Sequence, residues 1–140
     1  MMKTIRAAMA LAGAAWLATH PAGAMAETLK VPGGYRLIEG TEPAYHELVN
    51  ATRTNAIEGE KTTTALLLAQ VKHPDGSDIF AVGEYVAWCE TDRLVRMNVR
   101  YYDAAQNALG VDKTVAGGKL SGDPREKHIY TFLCAKWDAQ

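Results

Sequence analysis

Between Phe80 and Asp103 the apolar positions fall into two runs that read as adjacent strands. In the second, Val95, Met97, Val99 and Tyr101 alternate with Arg96, Asn98, Arg100 and Tyr102, the period of two expected of a half-buried strand. The first run carries Phe80, Val82, Val86 and Trp88 on one side and Ala81, Gly83, Tyr85, Ala87 and Cys89 on the other. Both its sides are largely apolar, so each must be covered. At the C-terminus the period changes to that of a helix, with Ile129, Tyr130, Leu133, Cys134 and Trp137 on one side. Asp123 is a good N-cap for it, Pro124 suits the first helical position, and Glu126 completes a D-x-x-E capping box.

The remaining chain reads as shorter strands and turns. Tyr35 to Glu39 suits a strand and Gly40-Thr41-Glu42-Pro43 a turn. Ala44 to Thr52 reads as a strand, with a helical turn as the alternative. Glu58-Gly59-Glu60 suits a hairpin tip before the Thr-rich run Thr62 to Val71. Lys72 to Asp78 is a polar loop around Pro-Asp-Gly-Ser, and Asn107 to Gly118 is irregular, with a short strand at Val111 to Val115. Glu27 to Gly34 reads as a mobile lead-in. There is no internal repeat and no linker.

Composition changes the picture at the N-terminus. Lys3 and Arg6, the apolar stretch Ala7 to Ala18, and the small-residue site Ala24-Met25-Ala26 form a secretory signal peptide over residues 1–26. The apolar stretch is too short to span a bilayer, no later segment qualifies as a transmembrane segment, and no Cys follows the stretch to take a lipid anchor. Residues 27–140 are then a single domain. Losing Lys3 and Arg6 takes the formal charge from −1 to −3. A mildly acidic domain without a basic block binds neither nucleic acid nor anionic membrane well. The expected location is periplasmic or secreted.

Both cysteines, Cys89 and Cys134, lie in the exported part, where a lone pair usually forms a disulfide; two buried free thiols are the alternative. A bridge would fasten the helix to the central hairpin and also bears on register. If Cys89 is to reach a helix on the face that carries Val95 and Met97, the hairpin needs the odd loop Thr91-Asp92-Arg93, pairing Cys89 with Val95 and Glu90 with Leu94. Ala81, Gly83 and Ala87 would let the helix approach, and Phe80, Val82, Val86 and Trp88 would form a second apolar surface, for which a dimer partner is one cover.

Residues that could carry catalysis are few. His46-Glu47-Leu48-Val49-Asn50 misses the second imidazole of H-E-x-x-H, and His73 and His128 have no ligand-spaced neighbours. Ser77 and Ser121 are the only serines, and neither sits in G-x-S-x-G. Gly117-Gly118-Lys119 lacks the first Gly and the final Ser or Thr of a phosphate loop. No catalytic residue, metal ligand or cofactor site is therefore expected. Arg96, Arg100 and Tyr102, on the polar side of the central strand, form the candidate binding surface, with a solvated face as the alternative.

Trp88-Cys89, the Arg-containing strand after it, Tyr101-Tyr102-Asp103 with Gly110 following, and Phe132-Leu133-Cys134 resemble the surface-adhesin protein E-like family of exported bacterial domains, over roughly Tyr35 to Cys134. The resemblance implies an α+β fold: a curved antiparallel sheet of about six strands, with a C-terminal helix held on its concave face by a Cys89–Cys134 disulfide. It further implies a tendency to form a homodimer and binding of a protein partner, in the envelope or extracellular. The expectation is a non-enzymatic adhesin-like module; a periplasmic structural or stress-protective protein is the alternative, and a small hydrolase a more distant one.

Overall fold

The computed structural model describes residues 29–139; the segment expected to be a signal peptide, residues 1–26, lies outside them. Eight strands form one open antiparallel sheet among the described residues, followed by one helix, so the fold is α+β. The strands are β1 (Tyr35–Ile38), β2 (Tyr45–Leu48), β3 (Arg53–Ile57), β4 (Glu60–Lys72), β5 (Asp78–Trp88), β6 (Arg93–Tyr102), β7 (Ala108–Asp112) and β8 (Ala116–Lys119). Helix α1 is Pro124–Asp138. No helix among them is long and apolar enough to cross a membrane.

Six strands follow one path, β1-β2-β4-β5-β6-β7, and the other two share an edge with a neighbour. Beside β4, β2 pairs with Leu67 to Ala69 and β3 with Glu60 to Thr64. Beside β6, β7 pairs with Val99 to Tyr102 and β8 with Arg93 to Arg96. The long strands β4, β5 and β6 are thus the centre, flanked on each side by short ones. Glu58 and Gly59, both at positive φ, close the tight β3–β4 turn. The segment read as one strand, Val111 to Val115, instead spans the end of β7 and the turn into β8.

The helix buries Ile129, Tyr130 and Leu133 against Ile38, Ala65, Leu67, Tyr85, Ala87 and Leu94. The disulfide Cys89–Cys134 is formed and closes 45 residues. Tyr130 Oη donates to the Trp88 carbonyl at 3.0 Å, and Trp137 Nε1 to the Thr62 carbonyl at 3.1 Å. Asp123 caps the helix by accepting from the Arg125 amide at 2.9 Å. Glu126 does not complete the box: its carboxylate accepts from the Ser121 amide and hydroxyl instead. It thereby holds the chain that enters the helix.

The register of the central hairpin differs from the expectation. Trp88 pairs with Arg93 and Ala87 with Leu94, so the loop is the four residues Cys89 to Asp92 rather than Thr91-Asp92-Arg93. Cys89 lies in the turn, beyond the β5–β6 pairing, and its amide donates to Lys61 of β4. It keeps the side of Ala87 but places no constraint on β6. Leu94 therefore faces the helix and is buried, while Val95 and Met97 lie on the opposite face across from Val86 and Glu84.

A second difference lies further along β6. Val82 pairs with Arg100 but Glu84 with Met97, so Gly83 faces both Asn98 and Val99. This is a β-bulge, with Asn98 at φ 51°. Inserting one residue exchanges the two sides of the strand, and Val99 and Tyr101 take the helix side that Leu94 and Arg96 hold before it. Space at Gly83 is filled by Tyr85, Arg96 and Val99 rather than by the helix.

Candidate binding face

The face of β4, β5 and β6 turned away from the helix is the second apolar surface expected from Phe80, Val82, Val86 and Trp88. Pairing extends it with Leu66, Leu68, Val95, Met97 and Tyr102. One end is partly covered by the lead-in, which is packed rather than loose: Leu29 and Val31 lie against Leu68, Phe80 and Val82. The Leu29 amide donates to Gln70 Oε1 at 2.9 Å, which ties the lead-in to β4.

Beside the lead-in the face holds an open hollow of about 500 Å³. Leu66, Leu68, Phe80 and Val82 form its floor, and Tyr35 and Tyr102 stand at its walls. Burial, together with the neighbouring Tyr102, raises the pKa of the Tyr35 hydroxyl. On the rim, Glu84 accepts from Asn98 Nδ2 at 3.3 Å, and Arg100 is exposed. Further along the same face, the Arg93 guanidinium stacks on the Trp88 ring, 4.6 Å from its centroid. That stack depends on Trp88 facing Arg93, a pairing that the loop Thr91-Asp92-Arg93 would not give.

Of the three residues expected to form a binding surface, Arg100 and Tyr102 stand together on this face. Arg96 does not. The bulge at Asn98 leaves it on the helix side beside Tyr85, at a smaller cavity of about 190 Å³ near the start of α1. The Tyr45 and Tyr85 rings meet edge to face there at 6.2 Å, and the Arg125 guanidinium lies 5.8 Å from the Tyr45 centroid. Burial, first of all, pushes the Tyr85 hydroxyl far above its usual range, so it is a neutral hydrogen-bonding group.

The charged group that sequence reasoning passed over is Glu47. It is 1% exposed, yet it accepts from Thr52 Oγ1, from Arg36 at 3.1 Å and from Lys136 at 3.2 Å. Burial alone would raise its pKa; the hydrogen bonds from Thr52, Arg36 and Lys136 outweigh it and hold the carboxyl below the usual range. Glu47 ties β1, β2 and the last turn of α1 to one another. The only hint in the sequence was an acid within an otherwise mostly apolar strand reading.

His46 lies on β2, a strand, so the helical spacing of H-E-x-x-H never forms, and Asn50 falls in the 3₁₀ turn Val49–Ala51. Its Nδ1 is buried without a hydrogen bond among the described residues, and burial lowers its pKa, so the ring is neutral. His73 sits 3.1 Å from Asp75 in the polar loop. His128 Nδ1 lies 2.8 Å from the Pro124 carbonyl, and its ring packs on Gly40. No three His, Cys, Asp or Glu residues among those described gather at metal-binding distance.

No protein-family model matches the chain, and no curated protein matches it. Among solved structures it is similar to that of Haemophilus influenzae protein E, with 14% identity and a TM-score of 0.57 over 83% of this chain and 95% of that one. The relationship shown is one of fold.

Proposed function

We propose that this chain is an exported bacterial envelope protein, periplasmic or secreted, acting as a non-enzymatic, adhesin-like protein-binding module. One observation carries the reading: the outer face of β5 and β6 is left bare by the helix and presents Trp88 stacked on Arg93, then Val95 and Met97, then Arg100 and Tyr102. Trp, Tyr and Arg over an apolar floor are the residue types that dominate protein interfaces. Such side chains bury area and form hydrogen bonds, which is what a binding surface requires. Export is supported by the disulfide, which suits an oxidising compartment. A bacterial surface setting is supported by the resemblance at Trp88-Cys89 and Tyr101-Tyr102-Asp103 and by the likeness of fold to Haemophilus influenzae protein E.

Site-directed photocrosslinking in living cells tests the reading. A crosslinker at Met97, on the bare face, should trap one discrete partner protein, and a crosslinker at Lys127, on the exposed side of the helix, should not. Trapping from both positions alike, or from neither, overturns it. Protease treatment of intact cells and of cells with an opened outer membrane then separates surface display from a periplasmic location.

A further inference from the structure

The hollow on the outer face has a chemistry of its own, distinct from a flat protein contact. Its floor is aliphatic and aromatic, and its volume of about 500 Å³ falls within the range of small-molecule sites. Its polar groups are unevenly spread. Glu84 is engaged by Asn98 at one end of the rim. Among the described residues, no hydrogen bond or ion pair engages the Arg100 guanidinium, and none engages the Tyr35 or Tyr102 hydroxyl.

These three are donors, and Arg100 carries a permanent charge. Arg100 lies across from Val82, and Tyr102 from Phe80, so both rise beside the floor residues themselves. Tyr35 enters from β1 and lines the same hollow as Tyr102. Arg100, Tyr35 and Tyr102 can all donate to one acceptor-rich head, with Gln106 also at the lining, while Leu66, Leu68, Phe80 and Val82 lie beneath. The geometry points to a binding site for a small amphipathic monocarboxylate, an aliphatic or aromatic acid whose body fills the hollow and whose carboxylate is held by Arg100 with Tyr35 and Tyr102. Charge complementarity selects the head group. A cationic head would be repelled by Arg100 and would have to turn to Glu84, one of whose oxygens accepts from Asn98, and a neutral one would leave the guanidinium without a counter-charge.

Calorimetric titration of the oxidised protein with decanoate, decanol and decylamine tests this, with amide chemical shifts recorded in parallel. Decanoate should bind in the concentration range up to about 1 mM, shifting the amides of Val82, Arg100 and Tyr102, and decanol should bind about ten-fold more weakly. Arg100→Gln removes the charge from an exposed position and should bring decanoate down to the level of decanol. Absence of decanoate binding overturns the inference. So does equal or tighter binding of decanol or decylamine, retention of the preference in Arg100→Gln, or shifts confined to another part of the protein. The protein-binding reading stands or falls separately, on the crosslinking at Met97.

Discussion

Replacing Glu47 by Gln removes one charge from a site that is 1% exposed while keeping its shape. Two ionic partners are lost: Lys136, about a quarter exposed, and Arg36, more than half exposed. A hydrogen bond to a charged group contributes about 1.5–3 kcal/mol when shielded. The Lys136 bond belongs at the lower end of that range, and the Arg36 bond, open to solvent, falls below about 1 kcal/mol. The amide can still bond to Thr52, and it costs less to bury than a carboxylate. The net loss should be about 2 kcal/mol, which lowers the urea midpoint by about 1 M at a slope of 2 kcal/mol/M.

The effect of pH on this loss has a definite sign. Because the folded-state pKa of Glu47 lies below its ordinary value of 4.5, its contribution is fully present above that value. It declines as pH falls through 4.5 and is gone below the folded pKa. Urea melts of the two proteins at neutral pH and at successively more acid pH should therefore converge. Equal midpoints at neutral pH would refute the argument, and so would a gap that persists unchanged into acid.

Removing the disulfide as the Cys89→Ser, Cys134→Ser pair should cost about 4 kcal/mol in the chain-entropy model for a loop of 45 residues. Equilibrium unfolding in urea measures it, and an unchanged midpoint would mean that α1 docks as well without its tether. Gly117→Ala drives a Cβ into the Leu94 carbonyl oxygen at a φ of 102°, so β8 must separate from β6 or both must move. Hydrogen exchange should then quicken at Arg93 to Arg96; protection equal to wild type would show that the contact relaxes without cost.

Where local rules governed, the elements were legible. Asp123 and Pro124 marked the helix start, Glu58-Gly59 the β3–β4 turn, and the alternation through β5 both its faces. Two cysteines left one pairing. Errors arose where a single residue changed the count. Asn98 sits inside an unbroken strand pattern with no proline or glycine beside it, so nothing signalled that the faces exchange there. The cost of that silence was Arg96, grouped with Arg100 by a period of two and placed by the fold on the other side of the sheet. Cys89 misled differently, because a turn residue was treated as if it obeyed the pleat. Pro-Gly-Gly predicts a mobile lead-in, whereas Leu29 and Val31 have an apolar floor to cover and pack on it. Glu47 was passed over because its three partners come from β1, the turn after β2 and the end of α1, which only tertiary structure brings together.

The paired short strands on either side of β4 and β6 have a consequence for how the sheet meets other chains. Unpaired backbone along a sheet margin invites other chains to add on and polymerise. Here each margin is broken into pieces: β1 and β3, of 4 and 5 residues, on one side, and β7 and β8, of 5 and 4, on the other. The long strands that could template such growth, β4, β5 and β6, each have partners on both sides, which leave only short stretches of β4 and β6 open. A segment of incoming chain therefore finds only 4 or 5 residues of open strand at a time, a short template for growth.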